Sequence, residues 1–166
     1  MVAYGSKTFS LNAKTNGGGK LSYKSSNKRI ANVSQNGKVT VKNYGQTTIT
    51  IKAATNGKYA TANIRITIKV VPKKMVLKKM ISPRKKKIKI TWKKDKTVTG
   101  YNINLCLRKD FKRGTLERFC KLSEKFFLIQ GVKSKKTYYV RVRGYKKVGN
   151  KTYYGAWSKT KSVKVK

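Results

Sequence analysis

Residues 64–70 read Ile64-Arg-Ile-Thr-Ile-Lys-Val70, a strict alternation of apolar side chains with cationic or hydroxylated ones. Successive side chains of an extended strand point to opposite faces, so this run has one dry face and one wet face; wound as a helix, it would put its apolar residues on both sides. Ile88, Ile90 and Trp92 follow the same rule between Lys87, Lys89, Thr91 and Lys93. So do Val39 with Val41, Ile49 with Ile51, Tyr101 with Ile103 and Leu105, Val140 with Val142, and Val163 with Val165. Nowhere do apolar residues keep the i, i+3, i+4, i+7 spacing of an amphipathic helix. Turn signals separate the alternating runs: Asn16-Gly17-Gly18-Gly19, Asn36-Gly37, Asn56-Gly57, Arg113-Gly114 and Gly149-Asn150. Short strands at this spacing predict an all-β chain of two small β-sandwich domains.

The charge balance is extreme. Forty-three lysines and arginines stand against four acids, for a formal net charge of +39 on 166 residues, and the first acid is Asp95. Disorder does not fit a chain that is 38% hydrophobic and 10% aromatic with two prolines, because basic low-complexity tails lack the apolar residues that build a core. The charge must therefore coat folded surfaces. A boundary is expected at Val71-Pro72, where a strand runs into a residue that interrupts a central ladder, dividing the chain into residues 1–71 and 72–166. Twelve of the basic residues precede it and 31 follow. No run approaches the roughly 18 apolar residues of a membrane span, and the first residues lack the regions of a signal peptide, so membrane insertion is not expected.

Residue inventory argues against catalysis. There is no histidine, and the carboxylates are Asp95, Asp110, Glu117 and Glu124; general acid–base work needs perturbed groups gathered in a pocket. Asp110 and Glu117 flank the expected turn at Lys112–Gly114, where ion pairing with nearby lysines is their ordinary role. The same scarcity of oxygen ligands argues against hard cations, and two cysteines make no zinc pattern. No cofactor is expected. A hairpin turning at Lys112–Gly114 would set Cys106 opposite Cys120, near disulfide reach and on the face away from Tyr101, Ile103 and Leu105. The alternative is two reduced, partly buried thiols.

The run Arg84-Lys-Lys-Lys-Ile-Lys-Ile-Thr-Trp-Lys-Lys94 reads as a basic patch or as a strand with a solvated lysine face. The candidate polyanion contacts are Arg84, Lys85, Lys86, Lys87, Lys89 and Lys93 from this run, with Arg141, Arg143, Lys146 and Lys147 from a later strand. Tyr139, Tyr145, Tyr153 and Tyr154 fall outward or near the final hairpin, either as binding aromatics or as cross-strand pairs.

Two family resemblances rest on specific stretches. Leu21-Ser-Tyr-Lys-Ser-Ser-Asn27, the Val33-Ser-Gln-Asn-Gly-Lys-Val-Thr-Val41 run and Gly45-Gln-Thr-Thr-Ile-Thr-Ile51 resemble, in order, the group 2 bacterial immunoglobulin-like domain over about residues 5–71. The strand that usually precedes Tyr4-Gly-Ser-Lys-Thr-Phe-Ser-Leu11 is missing from that pattern. Residues 73–166 look like a lysine-rich fibronectin type III domain of Gram-positive surface proteins. Trp92, Gly100-Tyr-Asn-Ile-Asn104, Thr137-Tyr-Tyr-Val-Arg-Val-Arg-Gly-Tyr145 and Gly155-Ala-Trp-Ser158 carry the likeness. Tyr138 then stands where such sandwiches place a corner tyrosine whose hydroxyl bonds the backbone upstream. The resemblances imply an all-β fold of two tandem immunoglobulin-like β-sandwich domains, extracellular and non-catalytic, and an oxidising exterior that favours the disulfide.

Thirty-five of the 43 basic residues are lysine, a hydrated point charge without the planar fork that reads guanine or clamps a phosphate. Diffuse, salt-sensitive attraction to teichoic acid, acidic glycans, mucin or DNA is the expectation. Two alternatives are a stalk subunit joining copies of itself through open sheet edges and a targeting module for a wall hydrolase.

Overall fold

The computed structural model describes residues 1–124 and 126–166. Among them every regular element is a strand, and the chain divides into two compact units, Met1–Val71 and Pro72–Lys166.

The first unit contains β1 (Val2–Ala3), β2 (Phe9–Ser10), β3 (Leu21–Ser25), β4 (Ala31–Val33), β5 (Lys38–Val41), β6 (Gly45–Ala53) and β7 (Ala62–Val71). One sheet runs β1-β7-β6-β3 and the other β2-β5-β4. Alternation puts Ile49, Ile51, Ile68 and Val70 inward, where they meet Ala31 and Val39. The Ser-Ser-Asn and Thr-Thr segments tie the crossover from β3 to β4. Thr47 Oγ1 accepts the Asn27 N–H at 2.9 Å, Ser25 Oγ donates to the Ala31 carbonyl at 2.7 Å, and Ser26 Oγ accepts the Thr48 N–H at 2.9 Å. Ser25 and Thr47 are buried, and hydroxyls satisfied in this way avoid the desolvation cost of an unpaired polar group. Gly37, at φ +71°, closes the β4–β5 turn where a Cβ would lie 2.9 Å from the Tyr23 ring, so both conformation and space call for glycine. β1 is a two-residue strand that pairs with the end of β7 in parallel, Val2 opposite Val70 and Ala3 opposite Val71.

The second unit contains β8 (Leu77–Ile81), β9 (Lys87–Trp92), β10 (Gly100–Cys106), β11 (Leu116–Lys121), β12 (Phe127–Gln130), β13 (Thr137–Val148), β14 (Lys151–Tyr154) and β15 (Lys161–Lys164). A three-stranded sheet, β12-β9-β8, faces a larger one, β11-β10-β13-β14, in which the first half of β13 also pairs with β15. Ile88, Ile90 and Trp92 pack against Tyr101, Ile103, Leu105, Tyr138, Val140 and Val142. The expected tyrosine corner is present: the Tyr138 hydroxyl accepts the Lys133 N–H at 3.0 Å.

The hairpin register differs from the expectation. Leu105 pairs with Leu116 and Tyr101 with Cys120, so the connection spans Leu107 to Thr115 and its apex precedes Lys112. Asp110 holds that apex, receiving Arg108 Nη2 at 2.6 Å, Arg108 Nε at 3.2 Å and the Lys112 N–H at 3.1 Å, and Phe111 at φ +56° is buried. Cys120 consequently shares the core face with Tyr101, while Cys106 lies on the other face of the sheet. The disulfide reading is therefore corrected: both thiols are free and buried.

Candidate polyanion-binding face

The wet side of the β12-β9-β8 sheet is built row by row from the register. Ile81 stands opposite Lys89, which stands opposite Leu128; Lys79 faces Thr91, and Lys87 faces Gln130. Lys79 N–H donates to Thr91 Oγ1 at 3.2 Å where a bulge shifts β8 against β9. Phe126, exposed just before β12, receives Lys89 Nζ over its ring at 4.3 Å. A shallow open cleft of about 320 Å³ lies between Pro83, Arg84, Lys87, Lys89, Phe126 and Leu128. A second, of about 180 Å³, lies between Lys79, Ile81, Lys89 and Thr91. Lys89 borders both. The result is a central lysine flanked by apolar side chains, Ile81 on one side and Leu128 on the other, an arrangement that can pair a cation with an aromatic and aliphatic floor.

The β8–β9 turn is anchored rather than loose. Ser82 Oγ donates to the Arg84 carbonyl at 3.1 Å and accepts the Lys166 N–H at 3.0 Å, while Lys86 N–H donates to the Lys166 carbonyl at 3.3 Å. Arg84, Lys85 and Lys86 project from it into solvent. Of the ten residues expected to contact polyanions, Arg84, Lys87 and Lys89 are gathered on one cleft, with Lys85 and Lys86 on the adjoining turn. Lys93 lies apart, in a depression with Lys73, Lys74, Lys94 and Lys96 around Asp95. Lys146 and Lys147 sit on the β13–β14 hairpin, opposite Tyr153 and Thr152.

Arg141 and Arg143 are elsewhere again, and they are built into the fold. They form a ladder on the outer face of β13: the Arg141 guanidinium lies 4.2 Å from the Phe111 ring and 4.5 Å from Trp157, and Arg143 lies 4.1 Å from both Trp157 and Tyr154. Arg143 Nε also donates to Asn102 Oδ1 at 2.8 Å, and Nη2 lies 3.9 Å from Glu117 Oε1. Desolvation lowers the pKa of both guanidinium groups. This cover explains why every residue of β10 is buried, including Asn102, Asn104 and Cys106 on the side away from the core. Arginine stacked between rings serves as packing.

The tyrosines resolve in a similar way. Tyr145 pairs across strands with Tyr154 and meets Phe119 edge-on at 5.6 Å, and Tyr153 is buried. Lys79, Ile81, Phe126 and Leu128 escaped the sequence reading of the face. For Phe126 and Leu128 the signal was the apolar run Phe126-Phe-Leu-Ile129, since a strand can bury only alternate members of such a run; Ile129 faces Ile88 in the core and Leu128 faces out.

The thiols make a direct check on the register. Burial, with the Glu124 charge second, pushes the Cys120 thiol up to about 11. Alkylating reagent at mildly alkaline pH is expected to leave Cys120 unmodified in the folded protein and to find two thiols per chain after denaturation without reductant. A single disulfide mass shift would contradict the register.

Two immunoglobulin-like β-sandwiches in tandem define the class, an all-β modular chain. The family model of the intimin immunoglobulin-like domain matches residues 8–55. The fold is similar to the crystal structure of chicken CNTN1 FN1–FN3 domains, with a TM-score of 0.50 and 18% identity, over 100% of this chain and 66% of that one. A second similar structure, a myokine, aligns over 57% of this chain and 97% of its own with a TM-score of 0.45 and 14% identity. No curated protein matches the chain. Identities this low speak for the fold alone.

Proposed function

We propose that the chain is a non-catalytic module of a bacterial surface or cell-wall protein that holds anionic polymers through lysine-coated strand faces. In this reading the leading unit is a group 2 bacterial immunoglobulin-like domain and the second a fibronectin type III domain. The intimin-domain match over residues 8–55 supports the surface setting. The β12-β9-β8 face carries the proposal: Arg84, Lys87 and Lys89 converge beside Phe126 and Leu128 without a carboxylate among the cleft residues. Teichoic acids, acidic glycans and DNA share the chemistry it would recognise, a chain of anions whose geometry need not be read. Ordinary lysines suffice for this, and the two built-in arginines stay in their stack.

Binding of purified teichoic acid and of random-sequence duplex DNA to the full chain tests the reading. Affinity is expected to fall steeply between about 50 and 200 mM salt, as counterion release requires when several phosphates are neutralised. Replacing Lys79, Lys87 and Lys89 with glutamine should flatten the salt slope by about one unit for each lysine engaged. Salt-independent affinity, or a slope untouched by the triple substitution, would reject this face.

A further inference from the structure

Strand β7 is paired with β6 along its whole length, but its other edge meets only β1, at Val70 and Val71. The direction of its free groups follows from one hydrogen bond. The Val71 carbonyl accepts the Tyr4 N–H at 2.8 Å. Because the N–H and C=O of one strand residue point to the same side and the side alternates along the strand, the odd-numbered residues of β7 aim theirs away from β6. Asn63, Arg65 and Thr67 therefore present their main-chain donors and acceptors at an edge with no neighbouring strand among the described residues. All three are exposed.

The side chains flanking that edge are equally incomplete. Ile64 has the inward parity of Ile66, Ile68 and Val70, yet it is 60% exposed because the short β2-β5-β4 sheet does not reach it. Beside it opens a cleft of about 300 Å³ bordered by Leu21, Ile51, Ala53, Tyr59 and Ala62. On the opposite, wet face, Arg65 and Lys69 continue a field that includes Lys24 and Lys52 on the neighbouring strands. Residues 1–71 hold twelve cations and no acid.

We propose that the β7 edge is a docking site for an extended acidic segment of a different protein, which adds to the sheet as a further strand. Alternate residues of such a segment would be apolar, extending the Ile64 side toward the cleft, and acidic, lying beside Arg65. Main-chain bonds to Asn63, Arg65 and Thr67 supply the pairing and the two rows supply selectivity. A second copy is the poorer occupant, because two chains of +39 would have to approach with a cationic face at the junction. The site lies within the first unit and shares no residue with the lysine face of the second.

The test uses the full chain and fluorescent synthetic peptides. A peptide alternating valine and glutamate is expected to bind saturably, to slow amide exchange at Arg65 and Thr67, and to outcompete one alternating valine and lysine. The same Val–Glu peptide N-methylated at every backbone nitrogen carries identical charge but has no main-chain donor on either edge, and it should bind at least about tenfold more weakly. Equal binding would mean diffuse attraction to lysines and would overturn the proposal, as would equal binding of the lysine peptide. Thr67→Pro removes an outward N–H and spares the β6 ladder, so it should abolish pairing at unchanged melting temperature. If that variant unfolds, the N-methylated peptide still decides. Sedimentation of the peptide-free chain as a dimer that Thr67→Pro dissociates would assign the edge to a second copy and reject the acidic partner.

Discussion

Trp157→Ala is expected to destabilise the second unit by about 2–3 kcal/mol, less than for a fully buried aromatic because the indole is only partly covered. The indole is the shared rung of the ladder, 4.5 Å from Arg141 and 4.1 Å from Arg143. Its loss removes two cation–π contacts of roughly 0.5–2 kcal/mol each and uncovers the outer face of β10. The two guanidinium groups keep Phe111 and Tyr154 as their other rungs, so unfolding should remain cooperative. Trp157→Phe, which preserves a ring between the arginines, should recover most of the loss. Urea unfolding followed by Trp92, the other of the chain's two tryptophans, reads the effect directly. A cost below about 1 kcal/mol would mean the ladder is surface decoration.

Tyr101 carries the second large effect. It is fully buried in the middle of β10, its ring 5.1 Å from Trp92, and Tyr101→Ala should cost about 3–5 kcal/mol through the cavity left between the sheets. Its hydroxyl accepts the Asp95 N–H at 3.1 Å and donates to the Asp95 carbonyl at 3.2 Å, which pins the segment leaving β9. Tyr101→Phe isolates those bonds and should cost about 1–3 kcal/mol, because both main-chain groups of Asp95 lose their partner. The pH dependence has a definite sign. Burial raises the Tyr101 pKa, so on alkalinisation the unfolded chain releases this proton before the folded chain does. The folded state then holds more protons, and stability attributable to Tyr101 is present below the ordinary tyrosine value of about 10 and declines as pH rises above it. Lysine titration is common to both proteins, so the difference between wild type and Tyr101→Phe is the informative quantity. That difference should hold below about pH 10 and shrink as pH rises above it; a constant difference would show that the hydroxyl does not ionise in this way.

Much of the architecture was legible in the alternation itself. Ile88, Ile90, Trp92, Val140 and Val142 are inward because period-two patterning leaves them no other side, and Tyr138 makes its corner bond because the residues around it build the strand that places it. The basic face of β9 was legible for the same reason. Arg141 and Arg143 were not: their outward parity is correct, but parity says nothing of what folds over an outward residue, and Phe111, Tyr154 and Trp157 come from distant loops and a neighbouring strand. Phe126 and Leu128 escaped for the converse reason, an unbroken apolar run hiding which members face water.

The class of structure and the side of each strand are therefore written in the chain itself, since both follow from local chemistry repeated every second residue. How the strands slide against one another, and what covers them, depends on contacts between segments distant in the chain. The cysteines stand on opposite faces because a long loop pinned by Asp110 and Phe111 set the β10–β11 register, a choice no alternation encodes. Ile64 is exposed for a related reason: whether an inward residue is buried depends on the length of the opposing sheet, which is a property of other segments of the chain.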